Sequence, residues 1–435
     1  MTQAYKQFQF DNYNFDYRTG LLTMCYSLDS KRHYREVIEF TLPPKSQPIN
    51  RDVVEALCFY TFVIAGSSYY KSFATPKLSL GEYPLDDWQA DFFNMIYHGG
   101  LSQFVYENKL NPSDLACFEA SDNLPGEPVD YNGTGILLLQ SGGKDSLLSA
   151  ELLKQNKHDF TSWHMSTTGK YPTVLDTVGK EVVVTRRRFD INAIREDWQK
   201  GGLNGHIPFS ALFAGFALIQ AALFNKGFVI ASNESSADQA NVTVNGYAVN
   251  HQFTKTFAVE RSIEEYMRRY VSADIHYGSL LRPFNELQIA QLFAKYGWPK
   301  YKDLYSSCNL ANYKQNEDDG KLTWDGTCPK CANTFLLMAP FVDKQELLDL
   351  FDGKNLLQES ELTQTYKQLL GTSDIKPFEC VGTFEELQEA YNLAVNKDRD
   401  FENVDLNTKK QHASFDELGP YQSIFYTLID YRKYI

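Results

Sequence analysis

The chain has 435 residues, 43% of them hydrophobic and 14% aromatic, and its 42 Lys and Arg against 55 Asp and Glu leave a formal net charge of −13. That size and apolar content allow two or three domains around a large core and exclude a disordered chain. A negative balance, an N-terminus (Met1-Thr2-Gln3-Ala4-Tyr5) without a charged start before an apolar core, and no apolar run near the roughly 18 residues of a bilayer span predict a cytoplasmic protein without nucleic-acid or membrane partners.

Residues 5 to 42 alternate aromatic and polar side chains, with turns expected at Asn12 to Asn14, Arg18-Thr19-Gly20 and Asp29-Ser30-Lys31. This pattern predicts a meander of short antiparallel strands, a small β cap. From Arg51 to Ile64 the spacing is helical, and small residues from Ala65 to Ser68 are expected to stop it before Tyr69-Tyr70-Lys71, which either line a pocket or pack as an exposed loop. A second helix is expected over Asp86 to Tyr97. The turn-rich stretch from Asn111-Pro112 to Asn132-Gly133 then closes an N-terminal α+β domain, residues 1–130.

Residues 131–340 alternate strand and helix. The apolar run Ile136 to Leu139 reads as a strand buried on both faces, broken at Ser141-Gly142-Gly143 before a helix starting near Ser146. Strands near Phe160 to Met165, Val182 to Thr185 and Gly227 to Ala231, with a helix leading to Trp198 and the long apolar helix Phe209 to Phe224, predict an α/β fold with a doubly wound parallel sheet. Ligands of such sheets lie beyond the carboxyl ends of the strands, so Ser141 to Ser146, Ser166 to Gly169 and Ser232 to Asp238 should share one crevice. The two glycines let the main-chain amides of residues 142 to 146 converge on an anion at the positive end of the new helix.

The loop Ser232 to Asn241 is dense in polar groups and reads either as a solvated connection or as part of the site. With the following segment it offers Glu234, Asp238, His251 and Lys255 as acid/base candidates, and His206 opens the preceding helix. Arg282 before a helix suits a carboxylate or phosphate. Cys308, Cys328 and Cys331 place a Cys-x-x-Cys turn near a third thiol. Three readings stay open: a structural Zn²⁺ with Cys380, or else a histidine, as fourth ligand, packing thiols, or a redox pair. From about Phe341 the chain is helical (Glu346 to Phe351, Leu362 to Leu370, Phe384 to Val395). A polar stretch over 396–416 and a last helix over Tyr421 to Tyr434 complete a helical C-terminal region, residues 341–435.

Ser141-Gly142-Gly143-Lys144-Asp145-Ser146 resembles the pyrophosphate loop (PP-loop) of the N-type ATP pyrophosphatases. Together with Gly66 to Lys71, Gly205 to Pro208, Ser232 to Ser235, Val249 to Lys255, Leu280 to Pro283, Ser306 to Asn309, Cys328 to Cys331 and Lys376 to Gly382, it makes the chain similar, from about residue 60 to 390, to the UDP-N-acetylmuramoyl-L-alanyl-L-glutamate epimerase family of peptidoglycan synthesis. The resemblance implies an ATP-dependent epimerase that adenylates a terminal glutamate and needs no pyridoxal phosphate. It implies phosphate contacts from Ser141, Gly142, Gly143 and Ser146, a charge offset by Lys144, and an Asp145 that holds Mg²⁺ or orients the loop. Contacts to the UDP-linked muramoyl dipeptide would come from Tyr70, Lys71, His206, Asn233 and Arg282, with proton transfer among Glu234, Asp238, His251, Lys255 and Cys308. The rival readings are another adenylating enzyme, such as an amide ligase or nucleobase-modifying synthase, and a non-catalytic nucleotide-binding scaffold.

Overall fold

The computed structural model describes residues 5–121, 126–314, 320–373, 375–403, 405–406 and 424–434. The strands are β1 (Gln7–Asp16), β2 (Leu21–Leu28), β3 (Arg32–Glu39), β4 (Lys77–Ser79), β5 (Ile136–Leu139), β6 (Phe160–Ser166), β7 (Val182–Arg188), β8 (Phe228–Ala231), β9 (Val242–Val244), β10 (Tyr247–Val249) and β11 (His276–Ser279). Nine of these form one sheet in the order β11-β8-β5-β6-β7-β3-β2-β1-β4, and β9 and β10 form a separate hairpin. Strands β11, β8, β5, β6 and β7 run parallel.

Alternation along the central strands explains why β5 is apolar throughout. Ile136 and Leu138 enter one core with Leu147 and Leu148 of helix Lys144–Gln155 and Leu287 and Phe293 of helix Glu286–Tyr296. Leu137 enters the other, with residues of the helices Arg51–Tyr70 and Phe209–Leu223. Both faces of the sheet are therefore covered, as a parallel sheet requires. The fold is α/β.

The N-terminal meander is not a separate cap. Val37, Ile38 and Glu39 of β3 pair antiparallel with Arg188, Arg187 and Arg186 of β7, so it extends the central sheet. Charge joins the seam: Arg187 Nε donates to Glu36 Oε1 at 2.6 Å, and the Glu36 carboxylate is fully buried. Nor do Asn12 to Asn14 form a turn. Strand β1 runs through them, with a register shift between Phe10 and Asn12.

The helix Arg51–Tyr70 continues through the small residues that were expected to end it. At Gly66 a Cβ would fall 2.4 Å from Phe10 Cε1, so these residues serve close packing of the helix on β1. By length and composition this helix passes for a membrane span, contrary to the sequence expectation, but 83% of its most apolar window is buried inside the protein. At the other end, the helix expected over Tyr421 to Tyr434 lies partly outside the described residues. Its described part is two 3₁₀ turns, Ile424–Thr427 and Tyr431–Lys433, separated where the Asp430 side chain caps the second turn. The helices Pro329–Met338, Lys344–Asp349, Thr363–Leu369 and Phe384–Lys397 pack onto the core that contains Ile136 and Leu138.

Candidate active site

Beyond β5 the chain turns through Gly142 at φ +83° and enters helix Lys144–Gln155. A Cβ at Gly142 would lie 2.5 Å from Leu322 Cδ1 and 3.0 Å from Val174 Cγ1, so dihedral and space both require glycine. No side chain caps the helix, which leaves its first amides and its positive end beside a cavity of about 130 Å³. Ser146 Oγ donates to Gly143 O at 3.1 Å and accepts from Ser141 N at 3.4 Å, which pins the turn. Such a turn suits an anion. Gly142→Ala should cost about 1–2 kcal/mol for the left-handed dihedral and a further ~1–3 kcal/mol for overpacking against Leu322. Denaturant unfolding checks the sum.

The cavity is lined by acids and bases from distant parts of the chain. The Lys144 ammonium donates to Asp145 Oδ1 at 2.5 Å and to the Glu286 carboxylate, and these two outweigh burial to hold it well above its ordinary pKa. Burial, opposed by Lys144 and reinforced by Asp145 and Glu234, pushes Glu286 up to about 8. Burial also raises Glu234, against the pull of Lys255. Lys255 Nζ donates to Cys380 Sγ at 3.3 Å. Burial alone would raise the Cys380 thiol, but Lys255, Lys330 and His251 together bring it well below the usual thiol range. A thiol shifted toward its thiolate and a carboxyl shifted toward its protonated form thus share one cavity.

Behind Cys380 a second group of polar side chains follows. The His251 ring lies 4.4 Å from that of His206, and its Nδ1 pairs with Gln103 Oε1 at 2.6 Å. Burial, with His251 and Lys71 nearby, lowers His206 to about 3, so its ring is neutral. Lys71 Nζ donates to Asn204 Oδ1 and Gly205 O, and burial, aided by Arg187, lowers it to about 8.

Several expected site residues have other partners. The Tyr70 hydroxyl, buried, donates to Thr75 O and accepts from Ala116 N. Asp238 is exposed and accepts from Phe257 N, at the start of helix Phe257–Tyr270. Asn233 is buried and its carbonyl accepts from Ser279 Oγ. Arg282, expected to meet a ligand, is fully buried and ion-paired with Glu260 at 2.7 Å. Its remaining N–H groups donate to the carbonyls of Glu234 at 2.6 Å and Lys255 at 2.5 Å. Arg282 therefore positions the backbone of two cavity residues. Cys308 lies with Cys328 and Cys331, not in the cavity. Cys380, expected as their fourth metal ligand, is in the cavity instead, and Asp325 occupies the fourth corner of the cluster.

The model of the MurL N-terminal domain matches residues 1–280, and that of the MurL C-terminal domain matches residues 304–418. The chain belongs to the MurL family. Three relatives bear the name UDP-N-acetyl-alpha-D-muramoyl-L-alanyl-L-glutamate epimerase. The protein from a Micromonospora species is 34% identical over 409 residues, 90% of this chain and 87% of its own length. That from Xanthomonas oryzae is 33% identical over 397 residues, 90% and 86%. The Salinispora tropica protein is 34% identical over 399 residues, 89% and 84%.

The two MurL matches meet at the cavity. The N-terminal match contains the Gly142 turn, Glu234 and Lys255, whereas the C-terminal match contains Lys330 and Cys380. Glu286 falls between them. Sequence reading missed Glu286, Lys330, Asn333 and Thr334 because each sits in a helical pattern that reads as an ordinary surface or core position. The only local signal was the Cys-Pro-Lys-Cys turn that carries Lys330.

Proposed function

We propose that this chain is an ATP-dependent epimerase that inverts the terminal L-glutamate of UDP-N-acetylmuramoyl-L-alanyl-L-glutamate, acting in the cytoplasm in peptidoglycan precursor synthesis. The observation that carries this reading is one cavity holding an anion-binding turn next to the paired Lys255 ammonium and Cys380 thiol. The relatives' shared name supports the substrate.

Removing the α-proton of a glutamate whose α-carboxylate is ionised places a second negative charge beside the first. In the proposed reaction an α-carboxylate oxygen attacks the α-phosphorus of ATP, releasing pyrophosphate and leaving an acyl-adenylate. The carboxylate charge is gone and the carbonyl can accept the electron pair from Cα. Each 1.4 kcal/mol or so of barrier removed is about tenfold in rate. We assign the α-proton to the Cys380 thiolate, with Lys255 holding the thiolate and the developing enolate charge. Glu234, whose carboxyl burial shifts toward its protonated form, returns a proton to Cα, and water then attacks the acyl carbon to release AMP and the inverted product. Gly142, Gly143 and Ser146 would receive the phosphates and Lys144 would offset their charge. Asp145 would hold Mg²⁺, whose chemistry is to neutralise phosphoryl charge. The scheme requires no pyridoxal phosphate.

Incubation with ATP, Mg²⁺ and the L-Ala-L-Glu nucleotide in D₂O tests this. D-Glutamate carrying α-deuterium, formed with AMP and absent without ATP, is the expected result. AMP without inversion would instead mark an adenylating ligase.

A further inference from the structure

The thiol cluster behind the cavity has no part in the reaction just described. Cys308 Sγ lies 3.6 Å from Cys328 Sγ, and Cys328 Sγ lies 3.5 Å from Cys331 Sγ. Asp325 closes the group, with Oδ2 at 3.2 Å from Cys308 Sγ and Oδ1 at 3.3 Å from Cys331 Sγ. All four ligand atoms fall within 4.8 Å of one another.

These distances discriminate between the three sequence readings. A disulfide would bring two sulfurs to about 2.05 Å, so the Cys-x-x-Cys is not an oxidised pair here. Thiols that merely pack need no carboxylate oxygens set against them, whereas Asp325 places one oxygen against Cys308 and the other against Cys331. Around Zn²⁺ with Zn–S bonds of about 2.3 Å, a tetrahedron has S···S edges of about 3.7–3.8 Å and slightly shorter S···O edges. The observed spacing follows that order, sulfur pairs longer than sulfur–oxygen pairs. The Asp325 carboxylate is also aimed by its neighbours: Oδ1 accepts from Thr327 N at 2.6 Å and Cys328 N at 3.1 Å. Cys308 Sγ accepts from Ala311 N at 3.4 Å. Backbone donors to ligand atoms orient them and temper their charge.

We infer that Cys308, Asp325, Cys328 and Cys331 bind one structural Zn²⁺, which fixes the far wall of the nucleotide cavity. Cys308 follows Ser307, and Cys328 caps helix Pro329–Met338, whose Lys330, Asn333 and Thr334 line the cavity with Ser307. A cation holding all four ligands ties these two segments together. With four protein ligands the site has no open position, so it is a closed structural centre.

The test is metal analysis of the full-length chain, purified under reducing conditions without chelator. One zinc per chain is expected in the wild type and in Cys380→Ser, whereas Cys328→Ser should fall to a small fraction of one equivalent. Should Cys328→Ser not fold, Asp325→Asn and the Co²⁺-loaded protein serve instead. Wild-type protein should show intense tetrahedral cobalt–thiolate absorption, and Asp325→Asn should shift or weaken it. A metal-free wild type whose Cys328 and Cys331 form a disulfide on mild oxidation would overturn the inference. So would zinc lost in Cys380→Ser and retained in Asp325→Asn.

Discussion

Cys380→Ala should lower α-proton exchange by about 10²–10⁴-fold, the usual contribution of a positioned acid or base, while substrate-dependent exchange of pyrophosphate into ATP persists. The split follows from the cavity: the thiol lies against Lys255, and the turn at Gly142 is built without it. A structural role for Cys380 would reduce both activities together. Lys255→Met supplies a second signature. Lys255 is the largest influence opposing burial at the thiol, so its removal raises the thiol's pKa. The thiolate then persists only at higher pH, and the acid limb of kcat/KM should move to higher pH. A limb that stays in place, or Cys380→Ala keeping more than half of wild-type α-exchange, would remove Cys380 from the reaction.

Arg282→Ala should cost about 3–5 kcal/mol in stability, since it strands the buried Glu260 carboxylate without its counter-charge. Burial already raises Glu260, and the guanidinium is what opposes that rise most. Lysine should not rescue it, because one ammonium cannot reach a carboxylate and two carbonyls held in a planar fork. The double variant Arg282→Met with Glu260→Leu separates stability from positioning. It should recover most of the lost stability, as apolar replacements of buried pairs do. Its turnover should stay low, because the carbonyls of Glu234 and Lys255 have lost their anchor. Urea unfolding of the single variant checks the first part, and a loss below ~1 kcal/mol would contradict it.

Local patterns in the chain predicted much of this architecture. The apolar run at Ile136 and the glycine break after it located the central strand on its residues and the helix after it to within two residues of its start at Lys144, since both signals are short-range. Long-range pairings were not legible. Nothing near Glu36 announces Arg187, 151 residues away, so the sequence shows a small β cap but not the sheet it joins. Small residues such as Gly66 carry two meanings, break or close packing, and only the position of Phe10 decides between them. At the site, loop position brought Glu234 and Lys255 into view. The same reasoning misplaced Arg282, whose surroundings look like a ligand-binding corner until Glu260 is seen beneath it. The cysteines show the limit most plainly. Spacing groups Cys308, Cys328 and Cys331, but only the folded chain sets Asp325 beside them and Cys380 in the cavity.

The central claim, adenylation of the substrate's own α-carboxylate, is tested most directly by oxygen transfer. The nucleotide substrate is prepared with ¹⁸O in both oxygens of the glutamate α-carboxylate, and the AMP formed during epimerisation is examined by mass spectrometry. One ¹⁸O in each AMP, with inversion at Cα, is the predicted result. Inverted product accompanied by unlabelled AMP would contradict it.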